Sequence, residues 1–433
     1  MRAPRMRRAG CASAVLFGLG IACSGSSGRT PNVIATPADN VAELSVDFGP
    51  PELSGYANGL FATVNVCVPG STTDCQAIDN VLVDTGSSGL RLFGSVLTLS
   101  LPAWTDDSGT ALAECGQFAD GSSIWGPLRS ADFSIANEQA ANLAIQVIEE
   151  STYPLPASCT GTDISAPDKL RANGFLGVGT SLQDCGAPCA AALGRYSENP
   201  GMYYACSSAA ADGCQPTALP VSKQVANPVA FFIADANGTI DNNGSIIELP
   251  AIPAEGAPSV TGSLVFGIGT RANNALESAT VSRLDDSGNF LTQYPTNGSP
   301  SSAFIDSGSN VTYFLDSATT GIPTCPGQFS DFYCPNSTLN LSAKIQDTSG
   351  RVTLIVNFSV ANAITLFSSP TSQYNFAFDN LAGPSTSPQS GTPGTSNMPA
   401  YFDWGLPFHF GRNVFTAIEG QSTPVGAGPF VAF

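Results

Sequence analysis

Two stretches of the chain place an aspartate where it can do chemistry. Residues 81–93 read VLVDTGSSGLRLF and residues 303–315 read AFIDSGSNVTYFL. In each, three apolar or small residues lead into an Asp (Asp84, Asp306). Thr or Ser follows (Thr85, Ser307), then Gly (Gly86, Gly308) and Ser (Ser87, Ser309), and then a mixed apolar strand. Asp, Gly and Ser crowd into turns for ordinary reasons, so one such stretch alone would mean little. Two with the same lead and exit are an internal repeat. Each also has an apolar run closing on glycine downstream: Gly177 in GFLGVG (174–179) and Gly405 in WGLPFHFGRNVFTAI (404–418). One Asp-Thr/Ser-Gly-Ser turn and one apolar-Gly strand per half is the mark of a duplicated lobe.

Two carboxyl groups facing each other across a pseudo-two-fold axis repel when both are ionised, so they share one proton. Such a pair can hold a water between a base and an acid. The ionised member removes the water's proton as it attacks an amide carbonyl, while the protonated member hydrogen-bonds the carbonyl oxygen and then helps protonate the leaving nitrogen. The neighbours suit this task. Gly86 and Gly308 remove a Cβ where the chain turns and where a substrate backbone would approach. Thr85 and Ser307 can bond across the axis, and Ser87 and Ser309 can donate to the outer carboxylate oxygens.

The elements that must position these turns are strands. The chain has 433 residues, enough for a sizeable core, with 44 Gly, 32 Pro and only 12% charged residues. Runs rich in Val, Ile, Phe and Thr recur between Gly, Pro, Asn and Ser clusters, which favours a mostly-β protein. The expected organisation is an N-terminal lobe over 41–225 and a C-terminal lobe over 226–433. NPVAFFIADANGTI (227–240) should restart strand patterning, and the low-complexity piece at 383–399 should be a disordered-like surface loop.

The N-terminus is read as a signal segment over 1–23, then a flexible linker over 24–40. A basic start precedes the apolar run Ala12–Ala22, which is too short to span a bilayer comfortably. The run ends in Gly20-Ile21-Ala22-Cys23, which resembles a bacterial lipobox with Cys23 as the lipidation site; plain secretion is the alternative. Loss of Arg2, Arg5, Arg7 and Arg8 with that segment takes the formal net charge from −18 to −22. Such a surface repels nucleic acid and anionic membranes. Outside the segment ten cysteines remain, an even number that implies disulfides in an exported chain. Cys67 with Cys75, and Cys325 with Cys334, read as local loop staples, and Cys185, Cys189, Cys206 and Cys214 as two nested bridges. The Cys spacings and the single histidine, His409, make a poor metal set. His409 follows bulky apolar residues and reads as core. Without a GxSxG elbow, a histidine-based nucleophile mechanism has nothing else to use. No cofactor is expected.

The chain resembles the pepsin-like aspartic proteases. DTGSSGL (84–90) and DSGS (306–309) match the two catalytic turns, and FADGSSIWGPLRSADFSI (118–135) looks like the flap hairpin. GFLGVG matches the apolar-Gly strand of the first lobe, and GSLVFGIGT (262–270) the strand that opens the second lobe's sheet. The tail also resembles an exported bacterial family known as a domain of unknown function. The resemblance implies a bilobal, double-β-barrel fold with a cleft between the lobes, and aspartic endopeptidase activity with Asp84 and Asp306 as the dyad. An extended polypeptide would bind in the cleft, contacted by Gly86, Ser87, Phe118, Ala119, Asp120, Gly308, Ser309 and Asn310. The protein would be a monomer at the periplasmic side or outer surface. The alternative is a catalytically silent binding or inhibitor protein on the same fold. Four positions depart from the family pattern. Phe118 stands for the flap Tyr, Ala119 for the flap Gly, Arg91 for a Trp after the first turn, and Asp403 for an apolar residue of the second apolar-Gly strand. Arg91 is expected at the solvated surface.

Overall fold

The structure is a computed structural model and describes residues 35–53, 55–118, 121–194, 198–210, 212–385 and 401–433. The expected signal segment, Cys23, Ala119 and Asp120 lie outside the described residues. The mostly-β expectation holds, with two large sheets, one of sixteen strands and one of seven. Among the described residues no helix is long and apolar enough to cross a membrane.

Each half is organised around an inserted strand. In the first half Cys75–Asp84 runs into the Asp84 turn and Ser88–Phe93 leaves it. These two strands do not pair with each other. Gly174–Val178 lies between them, parallel to the first, with Asp84 opposite Gly177, and antiparallel to the second, with Gly89 opposite Gly177. The second half repeats the plan. Phe402–Trp404 lies between Pro300–Ile305, to which it is parallel, and Thr312–Phe314, to which it is antiparallel. A strand covered on both faces must be apolar throughout. Val81–Val83 and Gly174–Val178 are accordingly buried at every position. The Val41–Asp47 strand has one solvated face and alternates instead.

The first half's core is aliphatic, built on Leu44, Val64, Val81, Val83, Leu90 and Leu176. The second half's core is aromatic: Phe290, Phe314, Tyr333, Phe402, Trp404 and Phe408 pack together, with the Phe402 and Trp404 ring centroids 4.4 Å apart. Larger rings fill the smaller sheet's layer with fewer residues, since each aromatic side chain buries about 150–250 Å².

Three expectations here need correction, and the expected lobe boundary at 225/226 is spanned by packing: Asn227 donates to the Gly179 carbonyl at 2.9 Å, and Val229 and Phe232 join the aliphatic core. The sheet is continuous as well, because Val260–Phe266 pairs with Val41–Asp47 on one side and Gly244–Leu249 on the other. The stretch 227–240 begins as a 3-10 turn, Pro228–Phe231, and strand resumes only at Gly244. Pro228 has no N–H for a ladder, and the Asn227 side chain caps Val229 N. At the linker's end Asn40 is fully buried and donates to the Phe266 carbonyl at 2.8 Å. Of the expected surface loop, Gly383 belongs to a buried strand, Ala382–Gly383, paired with Thr312–Tyr313, and Pro384 is buried; residues 386–399 lie outside the described residues.

Five disulfides close the described chain, a density that fits an oxidising compartment. Cys67–Cys75 and Cys325–Cys334 are the expected staples. The four cysteines expected to nest form two successive bridges, Cys185–Cys189 and Cys206–Cys214. The reason is local register: Cys206 and Cys214 face each other across a hairpin. Cys115–Cys159 is the remaining bridge. His409 is wholly buried, and desolvation pushes its imidazole down to about 3, so it stays neutral.

Candidate active site

The two turns meet at the junction of the halves and grip each other. Thr85 N–H donates to the Ser307 hydroxyl (3.1 Å), and Ser307 N–H donates to the Thr85 hydroxyl (2.9 Å). Each hydroxyl also donates onward into the opposite half: Thr85 to the Ile305 carbonyl (3.2 Å) and Ser307 to the Val83 carbonyl (2.8 Å). All four bonds are buried, and both hydroxyls give and accept. Removing either one therefore leaves partners unsatisfied.

This grip puts the two carboxyl groups together. Both flank one point: a Cβ on Gly308 would lie 3.1 Å from Asp306 Oδ1 as well as close to Asp84. A Cβ on Gly86 would lie 2.6 Å from the Asp306 carboxyl carbon, and one on Gly308 would lie 2.7 Å from Asp84 Oδ1. Only glycine fits either position. Within each turn the carboxylate is held alike. Gly86 N–H donates to Asp84 Oδ1 at 2.7 Å and Ser87 Oγ to Asp84 Oδ2. Gly308 N–H donates to Asp306 Oδ1 at 2.7 Å and Ser309 Oγ to Asp306 Oδ2 at 3.0 Å. The inserted strands brace the turns from behind. Gly179 N–H donates to the Ser87 carbonyl (2.8 Å), and Leu406 N–H to the Ser309 carbonyl (2.7 Å). A Cβ at Gly405 would meet the Val311 and Ser309 carbonyls at 2.2 and 2.6 Å.

Burial, and behind it the charges of Asp84 and Asp403, holds the Asp306 carboxyl well above the ordinary Asp range. Asp403 is 4% exposed, and Ser309 Oγ reaches its Oδ2 at 2.6 Å. Burial, opposed by the Ser309 bond and reinforced by Asp84, raises its carboxyl too. A third carboxyl therefore touches the site. Its signal in the sequence was the misplaced acid in an apolar-Gly strand; its contact with Ser309, 94 residues earlier, was not legible.

Of the other expected contact residues, Asn310 accepts from the Asn58 side chain through its carbonyl (2.9 Å) and lines a cavity of about 460 Å³ with Gly55, Phe329, Phe332 and Phe376. Asn58, which sequence reading missed, also donates to the Phe378 carbonyl and accepts from Phe378 N–H, so it ties the two halves together. Phe118 stands at the turn of the hairpin between Ala111–Gln117 and Ser122–Ile135. It packs edge-on against Phe175, centroids 5.6 Å apart.

Arg91 is not at the surface. It is 4% exposed and ion-pairs with Glu114 (2.7 Å) and Asp184 (2.8 Å). It also donates to Gln146 and to the Ser88 carbonyl, and lies 5.4 Å from the Phe175 ring centre. Burial opposes its charge, but Glu114 and Asp184 outweigh it and hold the guanidinium above its usual value. Two acids share this one cation. Burial and the Glu114 charge push the Asp184 carboxyl up, and Tyr203 donates to it. Sequence reading failed here because each partner comes from a different element.

What the arrangement can do is polarise and deprotonate one water held between an acid and a base, with peptide backbone approaching over two glycines. Among the described residues no group of His, Cys, Asp and Glu is placed to hold a metal ion. No curated protein matches the chain. Among solved structures it is similar to an aspartic proteinase from Irpex lacteus, at 14% identity and a TM-score of 0.48 over 90% of this chain and 96% of that one. The family described as protein of unknown function (DUF3443) matches over residues 36–433, and the chain belongs to that family.

Proposed function

We propose that the protein is an aspartic endopeptidase that hydrolyses peptide bonds with a water activated by Asp84 and Asp306. The observation that carries this reading is the reciprocal Thr85–Ser307 grip, which sets two similarly held carboxyls beside each other across two glycines. Asp306, with its raised affinity for a proton, is the acid that hydrogen-bonds the substrate carbonyl, and Asp84 takes the water's proton. The two then exchange roles as the leaving nitrogen is protonated. No covalent intermediate forms. Gly86, Ser87, Gly308, Ser309 and Asn310 contact an extended polypeptide from below, and Phe118 covers it from the hairpin, with Ala119 and Asp120 as the further expected contacts. The chain acts as a monomer outside the cytoplasm, exported and either anchored through Cys23 or released.

A silent binding protein on the same fold has no use for two carboxyls each held by a backbone amide and a hydroxyl. The test is cleavage of a denatured protein by the purified mature chain between about pH 3 and pH 7, beside Asp84→Asn. Cleavage that vanishes in the variant supports the reading. No cleavage at any pH, or cleavage that Asp84→Asn leaves unchanged, overturns it.

A further inference from the structure

The Ser309 hydroxyl has more to satisfy than one hydrogen allows. It lies 3.0 Å from Asp306 Oδ2 and 2.6 Å from Asp403 Oδ2. A hydroxyl has one hydrogen to give. If both carboxyls were ionised, one carboxylate oxygen would face the lone pairs of Ser309 at hydrogen-bond distance with nothing between them. One of the two must therefore carry a proton and donate it to Ser309 Oγ. Asp403 is the better holder. Its Oδ1 is buried without a partner, so an ionised Asp403 would leave a charged oxygen unsatisfied in a dry place. The groups that face it add no positive charge. Asp306 follows the parallel neighbour strand, Tyr313 lies opposite in the antiparallel one, and Asp84 stands across the turn.

We propose that Asp403 is a positioning residue for the dyad, a proton reservoir wired to Asp306 through Ser309. In one state Asp403 Oδ2–H donates to Ser309 Oγ, and Ser309 Oγ–H donates to an ionised Asp306. In the other, the Asp403 proton has passed to Ser309 as the Ser309 proton passed to Asp306 Oδ2. One O–H bond breaks and one forms at each transfer, and the negative charge moves from Asp306 to Asp403. No outside donor is needed. When the site loses a proton as pH rises, the remaining one rests on Asp403, where Oδ1 has no partner to satisfy a charge, and it passes through Ser309 to Asp306 when an acid is needed there. Asp403 thus keeps a proton within reach of Asp306 at higher pH. This rests on the proposed reading of Asp84 and Asp306 as a hydrolytic pair.

The test has two readouts on the full mature chain. The first is infrared titration. Wild type at neutral pH should show a protonated-carboxyl C=O stretch of Asp403, separate from any band of the Asp84–Asp306 pair, that is missing from Asp403→Asn and Asp403→Leu but persists in Ser309→Ala. The second is the pH profile of peptide cleavage. Its alkaline limb should move down by about one unit in Asp403→Leu and in Ser309→Ala, since both cut the relay. If the chain cleaves nothing, the first readout still decides: a band lost with Asp403 upholds the reservoir while the hydrolase reading falls. Absence of that band from wild type, or an alkaline limb that both variants leave in place in an active enzyme, overturns the proposal. Should Asp403→Leu fail to fold, the near-isosteric Asp403→Asn and Ser309→Ala carry both readouts.

Discussion

The two halves put different chemistry at matching positions. Seven residues past each aspartate stand Arg91 and Tyr313, and two residues before each inserted-strand glycine stand Phe175 and Asp403. The members of each pair face each other across strands, Arg91 with Phe175 and Tyr313 with Asp403. In the first half a cation rests on an aromatic ring and draws two acids toward itself, away from the turn. In the second, an acid sits by a phenol and reaches forward to the turn's own serine. So Ser87 serves one carboxyl and Ser309 serves two. The lesson is that duplication preserved the turns while the layer behind each was rebuilt. One half places its buried charge behind the strands and the other places it at the paired carboxyls.

The largest expected effect tests what the halves share. Asp84→Asn and Asp306→Asn should each lower kcat on a denatured protein by about 10³-fold, the scale of acid–base catalysis. A variant that keeps activity in only one half would break the symmetry. Next comes Arg91→Met, which leaves Glu114 and Asp184 buried without their cation. Chemical denaturation should show a loss of about 3–5 kcal/mol, the typical cost of removing one partner of a buried pair. A loss under about 1 kcal/mol would mean that the first half does not depend on this charge. Smaller again, Thr85→Val and Ser307→Ala should each cost about 1–3 kcal/mol. Because they share the same bonds, the double variant should cost less than the two losses combined.

The smallest expected change is in the shape of the stability–pH curve. Asp306 and Asp403 hold their protons more tightly folded than unfolded. The folded state therefore binds more protons once pH exceeds the ordinary Asp value near 4, and stability should fall as pH rises from there until the folded carboxyls ionise. Asp403→Asn should flatten that fall in thermal melts taken across pH. An unchanged slope would show that Asp403 titrates normally and would erase the contrast between the halves.

Much of this site was legible because its signal is local and doubled. An Asp-Thr/Ser-Gly-Ser turn encodes its own amide and hydroxyl donors within four residues, and the repeat supplied the partner. The inserted strands were legible as apolar runs ending in Gly177 and Gly405. What depends on register was not. Arg91 looks like any charged residue on a strand until Glu114 and Asp184 arrive from elements 23 and 93 residues away. The 3-10 turn at Pro228–Phe231 was legible in principle, since Asn then Pro is a cap followed by a residue without a donor. Its apolar tail, Phe231-Phe232-Ile233, read as strand because composition does not distinguish a short buried run from a strand.

The pairing of Val41–Asp47 with Val260–Phe266 has a consequence for how the protein is made. Synthesis proceeds from the N-terminus, so this edge of the first strand has no partner until more than two hundred further residues exist. An open edge of that kind recruits other chains. The site cannot assemble earlier either, since Ser307 must arrive to complete the grip on Thr85. A half-finished chain thus has an exposed edge and unpaired turns, and the protein covers the one and joins the other in the same late stage of folding.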